Sequence, residues 1–552
     1  MDNASSGGNA AVGSRGMTVG GTLFVALSLS IGWGIRGNFG HEYGAMIAGV
    51  LSAIAVCLAS GREDWWRRVP YFAFFGGIGW SFGGSISYMQ VIAYTHSGHL
   101  PSQVYGFACL FVIGFTWAAM GAGGTALPAV LSREKLSEIF VPLIVVFIAW
   151  WGQDCFEAWY EIYLEKNDLQ GASRHESPLY WFDTDWLGIL VAMGAVLLHA
   201  AVVRNWSTGT SIVMHMGVGW YAAFLFLVVA MNVRMTPPRG DNWAGAVGAT
   251  GGMLVFFMRS GLFGAARAAI VAGFIGGLGF SGAQMIKLIC LWTGVQTNWH
   301  SVLEQTYGFI NGIGIAVAMG SLVTRLPRVN DDPPVRRWTE PFAAAFVLLG
   351  VTYVNVRKDI GTWIEKQAIP AEMFGLRAGA GLIPSYGFVG WFDLIYLAMT
   401  AAVVILLIRH MRHPLPMIPS SWAGKGQLLY LVFLWWMVIG NWMRAIPGFT
   451  AHRLVTEGVI HLNASICMVL AFVCAARVVE PSRIRESFNF ARGLPRTILA
   501  WSAATILAIG VQTGVARALY GDEQAPASGR HIRFGPDATA TKAKPKPGQA
   551  HP

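Results

Sequence analysis

The chain reads as an all-α, polytopic transmembrane helix bundle of about 14 to 15 spans. Three observations predict it: a composition poor in charge, a succession of apolar runs of spanning length, and loops that alternate in charge. Of 552 residues, 54% are hydrophobic and 12% charged, with a mean hydropathy of +0.49. An ordinary soluble protein carries roughly 25% charged residues, and one of this length would divide into several cores, each needing a charged surface. The outer solvent is therefore expected to be the lipid bilayer. The 67 glycines and 23 tryptophans agree, because glycine lets membrane helices approach closely and tryptophan settles at the headgroup boundary.

Runs of about 20 mainly apolar residues mark the spans in order. Residues 18–35 and 45–60 come first, then 69–94, 104–124, 139–160 and 186–203. The series continues with 211–233, 243–258, 268–291, 306–323, 341–356 and 391–408, and closes with 427–446, 458–476 and 497–516. Two runs, 45–60 and 243–258, are short enough to be half-helices.

The loops fall into two classes. One class is basic, with Arg62, Arg67, Arg68, Arg133, Lys135, Arg204, Arg259, Arg267, Arg325, Arg328, Arg336, Arg337, Arg409, Arg412, Arg477, Arg483, Arg485, Arg492 and Arg496. The other holds acidic residues 161–185, the near-neutral loops 96–103 and 292–305, and the mixed segment 357–390. Lys and Arg accumulate on the cytoplasmic side of short loops, so an inner (plasma) membrane with a cytoplasmic N-terminus is expected. An odd number of spans then sends the tail outside, although Arg530, Arg533, Lys542, Lys544 and Lys546 make it basic; one segment miscounted would reconcile the two. The net charge of +10 is spread singly through loops, without the clustered basic face that nucleic acid needs.

An internal repeat organises the spans. Phe75-Gly76-Gly77-Ile78-Gly79-Trp80-Ser81 recurs as Ile275-Gly276-Gly277-Leu278-Gly279-Phe280-Ser281, and Gln103-Val104-Tyr105-Gly106-Phe107 as Gln305-Thr306-Tyr307-Gly308-Phe309. Ala119-Met120-Gly121 and Trp181-Phe182-Asp183 match Ala318-Met319-Gly320 and Trp391-Phe392-Asp393 in the same order. A spacing of roughly 200 residues holds six spans, and an even number makes the copies parallel. The expected organisation is a disordered cytoplasmic tail over 1–17, six-helix repeats over 18–206 and 207–410, C-terminal helices over 411–516, and a disordered tail over 517–552. A weaker match between residues 31–36 and 439–444 makes the C-terminal helices a partial third copy.

The segment from Gly32 to Gly49 concentrates the chemistry. Arg36, Asn38, His41 and Glu42 stand between two apolar runs, among glycines 37, 40 and 44 that would interrupt a helix. Unwound backbone at membrane depth survives where it lines a wet cavity, and transporters use such breaks to bind solutes. The alternative is a short loop with snorkelling charges. Arg234 and Arg239 hold the equivalent place in the second copy, and Arg444, Arg453 and Glu457 in the C-terminal helices. Arginine presents a planar fork to carboxylate or phosphate, so these junctions are expected to bind an anionic solute if they converge. Polar groups inside apolar runs, Gln90, Gln284 and Lys287, are candidate pathway residues, with Asp154 and Glu157 as partners for Lys287.

His96, His99 and His300 are too few and too scattered to define a zinc site, which wants three or four supported ligands. The cysteines show no metal or haem spacing and are read as packing residues. There is no Walker loop, dinucleotide fingerprint, nucleophile elbow or HExxH pair, and the basic, glycine-aspartate loop typical of major facilitator transporters is absent after the second span. No cofactor is implied. The expected partners are the lipid bilayer and a small-molecule solute, and the expected function is proton-coupled secondary transport of a small polar or anionic solute such as a sugar, sugar acid or carboxylate. The other reading is a membrane-embedded glycosyl or acyl transferase acting at the outer leaflet on a lipid-linked donor, with Glu42 or His41 as general base and Arg36 on phosphate.

Overall fold

The computed structural model describes residues 17–83, 88–167, 185–235, 242–329, 336–357, 388–413, 422–445, 451–474 and 489–522. The described residues form helices and no strand. Twelve of these helices are long and apolar enough to cross a membrane. Of the expected tails over 1–17 and 517–552, residues 1–16 and 523–552 lie outside the described residues, whereas 517–520 belong to the last helix, which runs to Tyr520.

Helix α1 (Val19–Arg36) starts on Thr18, whose side chain accepts from the Gly21 amide at 3.1 Å. A five-residue turn follows, and Gly40 takes φ +96° there, a value that glycine alone reaches without strain. Helix α2 (Glu42–Ala59) returns antiparallel, with Glu42 in its first turn, where the helix dipole favours an acid. The expected broken element is thus a tight hairpin between two continuous 18-residue helices. Nor does Arg36 snorkel: it is 1% exposed. The short run 45–60 is a full helix of about 27 Å at 1.5 Å per residue.

The break falls one span later. Helix α3 (Glu63–Trp66) leads into α4 (Val69–Gly83), and the helix resumes as α5 (Met89–Tyr94), preceded by Tyr88 at φ −122°, ψ −1°. The run 69–94 is therefore two helices. Helices α6 (Leu100–Val130) and α7 (Arg133–Lys166) follow, then α8 (Asp185–Val203) and α9 (Thr208–Ala223), which continues as a π-helical turn over Phe224–Ala230. Next come α10 (Asn242–Arg259), α11 (Phe263–Trp292), α12 (Trp299–Val323) and α13 (Thr339–Ala345), the last extended by π-helical turns. Helices α14 (Phe388–Arg412), α15 (Trp422–Ala445), α16 (Ala451–Cys474) and α17 (Phe490–Tyr520) complete the described chain.

Helices α1, α2, α4, α6, α11 and α12 make the centre. Lipid is as apolar as leucine, so packing and small residues hold membrane helices together rather than the hydrophobic effect. At the crossing of α6 and α11, a Cβ on Gly114 would stand 2.5 Å from the Gly276 carbonyl oxygen, and one on Gly276 would stand 2.4 Å from Ala118 Cβ. The outer ring, by contrast, exposes large apolar side chains such as Leu198 and Val202 on α8, Val229 after α9, and Leu499, Ile506 and Leu507 on α17.

Among the described residues, basic loops gather at one end of the bundle and the near-neutral loops before α6 and α12 at the other. At one end Arg62 pairs with Asp64 at 2.5 Å and donates to the carbonyls of Val323, Leu326 and Pro327. Arg68 donates to Pro128 and Leu131, and Arg133 to the Arg67 carbonyl. Arg62 and Arg68 cap the carbonyl ends of α12 and α6, where the dipole favours a cation, and both are buried structural groups. Met17 lies at this end, against Ala59 and Gly320 of the α2 and α12 termini, whereas Asp522, after α17, packs on Gly98 at the Arg36 end. The first and last described residues thus lie at opposite ends of the bundle.

Candidate functional site

At the end of the bundle opposite Arg62, the α1–α2 turn meets the start of α12 and the break between α4 and α5. Arg36 Nη1 donates to Glu304 Oε1 at 2.8 Å, and both side chains are 2% exposed. Tyr88 donates its hydroxyl to the same carboxylate oxygen at 2.5 Å. His300 Nε2 stands 3.4 Å from the Tyr88 hydroxyl and 3.7 Å from Glu304 Oε1. Arg36 Nη2 reaches His41 Nδ1 at 2.6 Å. An arginine has no acceptor, so the contact requires Nδ1 to accept and fixes a neutral imidazole carrying its proton on Nε2. Partial burial, the Arg36 charge and His300 push the His41 imidazole down to about 4.

The elements dictate this meeting. Gly37 lets α1 approach α12, because a Cβ there would lie 2.9 Å from Glu304 Oε2. Gly44 does the same within the hairpin, facing the Arg36 carbonyl oxygen at 2.6 Å. Beneath the ion pair lies an aromatic floor. The Arg36 guanidinium carbon sits 4.7 Å from the ring centre of Trp33 and 5.0 Å from that of Trp117. Trp33 packs on Tyr307 at 4.7 Å, and Phe280 on Tyr307 at 4.6 Å and Tyr88 at 5.0 Å. Among the described residues Arg36 Nε and the indole nitrogens of Trp33, Trp80 and Trp117 are buried with no hydrogen-bond partner. Donors left unpaired in so dry a place are costly, and each calls for a reason such as a functional role, a water or an ion.

The third helix pair joins from the side. Asn38 Nδ2 donates to Asn441 Oδ1 at 2.5 Å, and Arg453 Nη2 donates to Asn38 Oδ1 at 3.3 Å. Asn441 in turn donates to Glu457, which is 4% exposed. Gln305, the neighbour of Glu304, donates to the Thr456 carbonyl at 3.2 Å. One polar chain thus links α1, α12, α15 and α16.

The residues predicted from sequence divide among three places. Arg36, Asn38, His41, Arg453 and Glu457 come together; Arg444 stands in the last turn of α15, on the helix that carries Asn441. Glu42 and Arg234 instead line a separate cavity of about 1150 Å³ between α2, α4 and α7–α10. Gln284 donates to Thr95 at 2.9 Å, and Lys287, one turn on, has Glu304 and His96 as its electrostatic neighbours. Among the described residues it makes no ion pair with Asp154 or Glu157, which line the cavity. Arg239 and the side chain of Gln90 lie outside the described residues.

Glu304, Tyr88, His300 and Asn441 were not legible as site residues. Glu304 falls at the edge of an apolar run and reads as loop, and Tyr88 is hidden in the run that the structure divides. The available signal was a lone acid directly before the Gln305-Thr306-Tyr307-Gly308-Phe309 repeat motif. Among the described residues no group of three or more His, Cys, Asp or Glu side chains is placed to hold a metal ion. Set against family models, curated proteins and solved structures, the chain matches none.

Proposed function

We propose that the protein is a secondary transporter that couples a proton to a small carboxylate or comparable anion, with Glu304 as the proton-accepting group and Arg36 as the solute-binding group. The observation that supports this is the buried Arg36–Glu304 pair at 2.8 Å, with a tyrosine and two histidines around it. A cation buried this deeply cannot be left alone: removing one partner of such a pair costs about 3–5 kcal/mol. Protonation of Glu304 therefore frees Arg36 only when another anion takes its place. Proton and anion then enter together and the net charge of the site is unchanged. His300 is placed to pass the proton through Tyr88, and the Asn38–Asn441–Glu457–Arg453 chain links the site to α15 and α16. The matched motifs on α4 and α11, which flank α6, support two parallel six-helix copies around this centre. The positive-inside rule puts the Arg36 end outside and the N-terminus in the cytoplasm of an inner membrane.

In proteoliposomes, labelled carboxylates are expected to accumulate under an inward proton gradient, and Arg36→Ala abolishes the uptake. Glu304→Gln mimics the protonated acid, so it retains anion exchange but loses gradient-driven accumulation. Accumulation by Glu304→Gln at the wild-type level would refute the coupling role. The transferase reading rests on a different observation, the deep aromatic-walled cavity beside Glu42; turnover of a lipid-linked donor, with no uptake of any anion, would favour it.

A further inference from the structure

The cavity between α2, α4 and α7–α10 is separate from the Arg36 pair and differs in character. Along α7 it runs from Leu143 to Glu157, about 21 Å at 1.5 Å per residue, more than the roughly 15 Å of one leaflet's hydrocarbon. Its deep part is apolar, with Leu143, Val146, Ala192, Val213 and Ala249. Its end near Glu42 is charged and aromatic, with Asp154, Asp185, Arg234, Trp150 and Trp186. Phe224, Val228 and Val229 come from the π-helical turn, a distortion that recurs at ligand sites.

Among the described residues Glu42 and Asp154 make no ion pair, and Arg234 bonds only to Asn232 Oδ1, at 3.2 Å, leaving its two terminal nitrogens without an acid. The Tyr105 hydroxyl, donating to the Arg234 carbonyl at 2.7 Å, fixes the backbone there. Among the described residues Ser81, 6% exposed and lining the cavity, makes no hydrogen bond, and Gln153 Oε1 is buried without a partner. One cation, Arg234, and two carboxylates without an ion pair among the described residues, Glu42 and Asp154, at the charged end of an apolar cleft complement a ligand with one anionic group, one cationic group and a hydrocarbon tail.

We infer that this cavity binds a zwitterionic phospholipid with an amino-alcohol headgroup: Arg234 takes the phosphate, Glu42 and Asp154 take the ammonium, and an acyl chain fills the apolar depth. Guanidinium forks match phosphate oxygens, and tryptophan faces attract an ammonium. An anionic lipid would satisfy Arg234 but confront the carboxylates.

Native mass spectrometry of the full-length protein in detergent, titrated with phosphatidylethanolamine or phosphatidylglycerol, tests this. The wild type is expected to prefer phosphatidylethanolamine by about tenfold, the worth of one charge-assisted bond. Arg234→Gln weakens both lipids. Glu42→Gln weakens phosphatidylethanolamine and strengthens phosphatidylglycerol, a reciprocal change that loss of folding does not produce. Soluble phosphoethanolamine, which lacks acyl chains, competes poorly. Equal affinity of the wild type for the two lipids, a preference unmoved by Glu42→Gln, or full competition by phosphoethanolamine would each overturn the assignment. These readouts do not depend on transport, so they stand or fall apart from the role of Arg36.

Discussion

Glu304 accepts from Arg36 and Tyr88 on one oxygen, while Arg36 spends its other terminal nitrogen on His41. Tyr88→Phe removes a hydrogen bond to a charged group, worth about 1.5–3 kcal/mol, and keeps the ring that packs on Phe280 and Trp117. A lower thermal midpoint is expected, together with, on the proposed transport function, uptake that no longer depends on pH as the wild type does, because the hydroxyl between His300 and Glu304 is removed. Thermal stability and uptake across a pH series check both. His41 gives a second prediction. Its folded value of about 4 lies below the ordinary 6.5, so the unfolded chain binds the extra proton first. The stability contributed by neutral His41 is complete above pH 6.5 and is lost as the pH falls toward 4. Between pH 7 and pH 4.5, His41→Gln should therefore lose less thermal stability than the wild type; equal losses would contradict the placement of His41 against Arg36.

At the scale of elements, the site exists because helices approach where side chains are absent. Gly276→Leu puts a branched side chain where a Cβ already meets Ala118 Cβ at 2.4 Å, so α6 and α11 must separate and the Trp117–Phe280 contact at 5.5 Å must open. Loss of the folded species by size-exclusion chromatography is expected, and the wild-type profile would show that the crossing is not close. Arg62→Ala leaves Asp64 buried and unpaired and uncaps the carbonyl end of α12. Its expected cost is about 3–5 kcal/mol, read as a fall in the thermal midpoint. That part of the molecule was half legible. The basic loop was visible in the sequence, but the seating of Arg62 on α12, which lies far away in the chain, was not. The helix break was likewise placed in the wrong hairpin. Glycines at 37, 40 and 44 suit a disrupted helix as well as a tight turn and close packing, and only the neighbouring α12 decides between them.

For the whole molecule, the alternation of basic and acidic loops predicts which end faces the cytoplasm, and cysteine labelling measures it. Lys166 is exposed at the end of α7. In a background lacking Cys155, a cysteine at 166 should react with a membrane-impermeant maleimide in intact cells, whereas one at Arg204, the exposed residue after α8, should react only after permeabilisation. The reverse pattern would invert the expected topology and with it the direction of the proposed coupling at Arg36.

Composition and spacing by themselves determined that this is a many-span helical membrane protein, roughly where its helices run and that the Arg36–Glu42 segment is chemically unusual. Those properties are local: a run of 20 apolar residues must satisfy its backbone as a helix in lipid whatever surrounds it. Only the tertiary structure decided that Arg36 finds Glu304, that Tyr88 stands at a helix break to bridge Glu304 and His300, that Asn38 meets Asn441 and Arg453, and that Glu42 and Arg234 open into a separate cavity. Each of those contacts joins residues far apart in the chain, and which ones meet is set by the crossings of glycine-lined helices, a property of pairs of helices that no single segment carries.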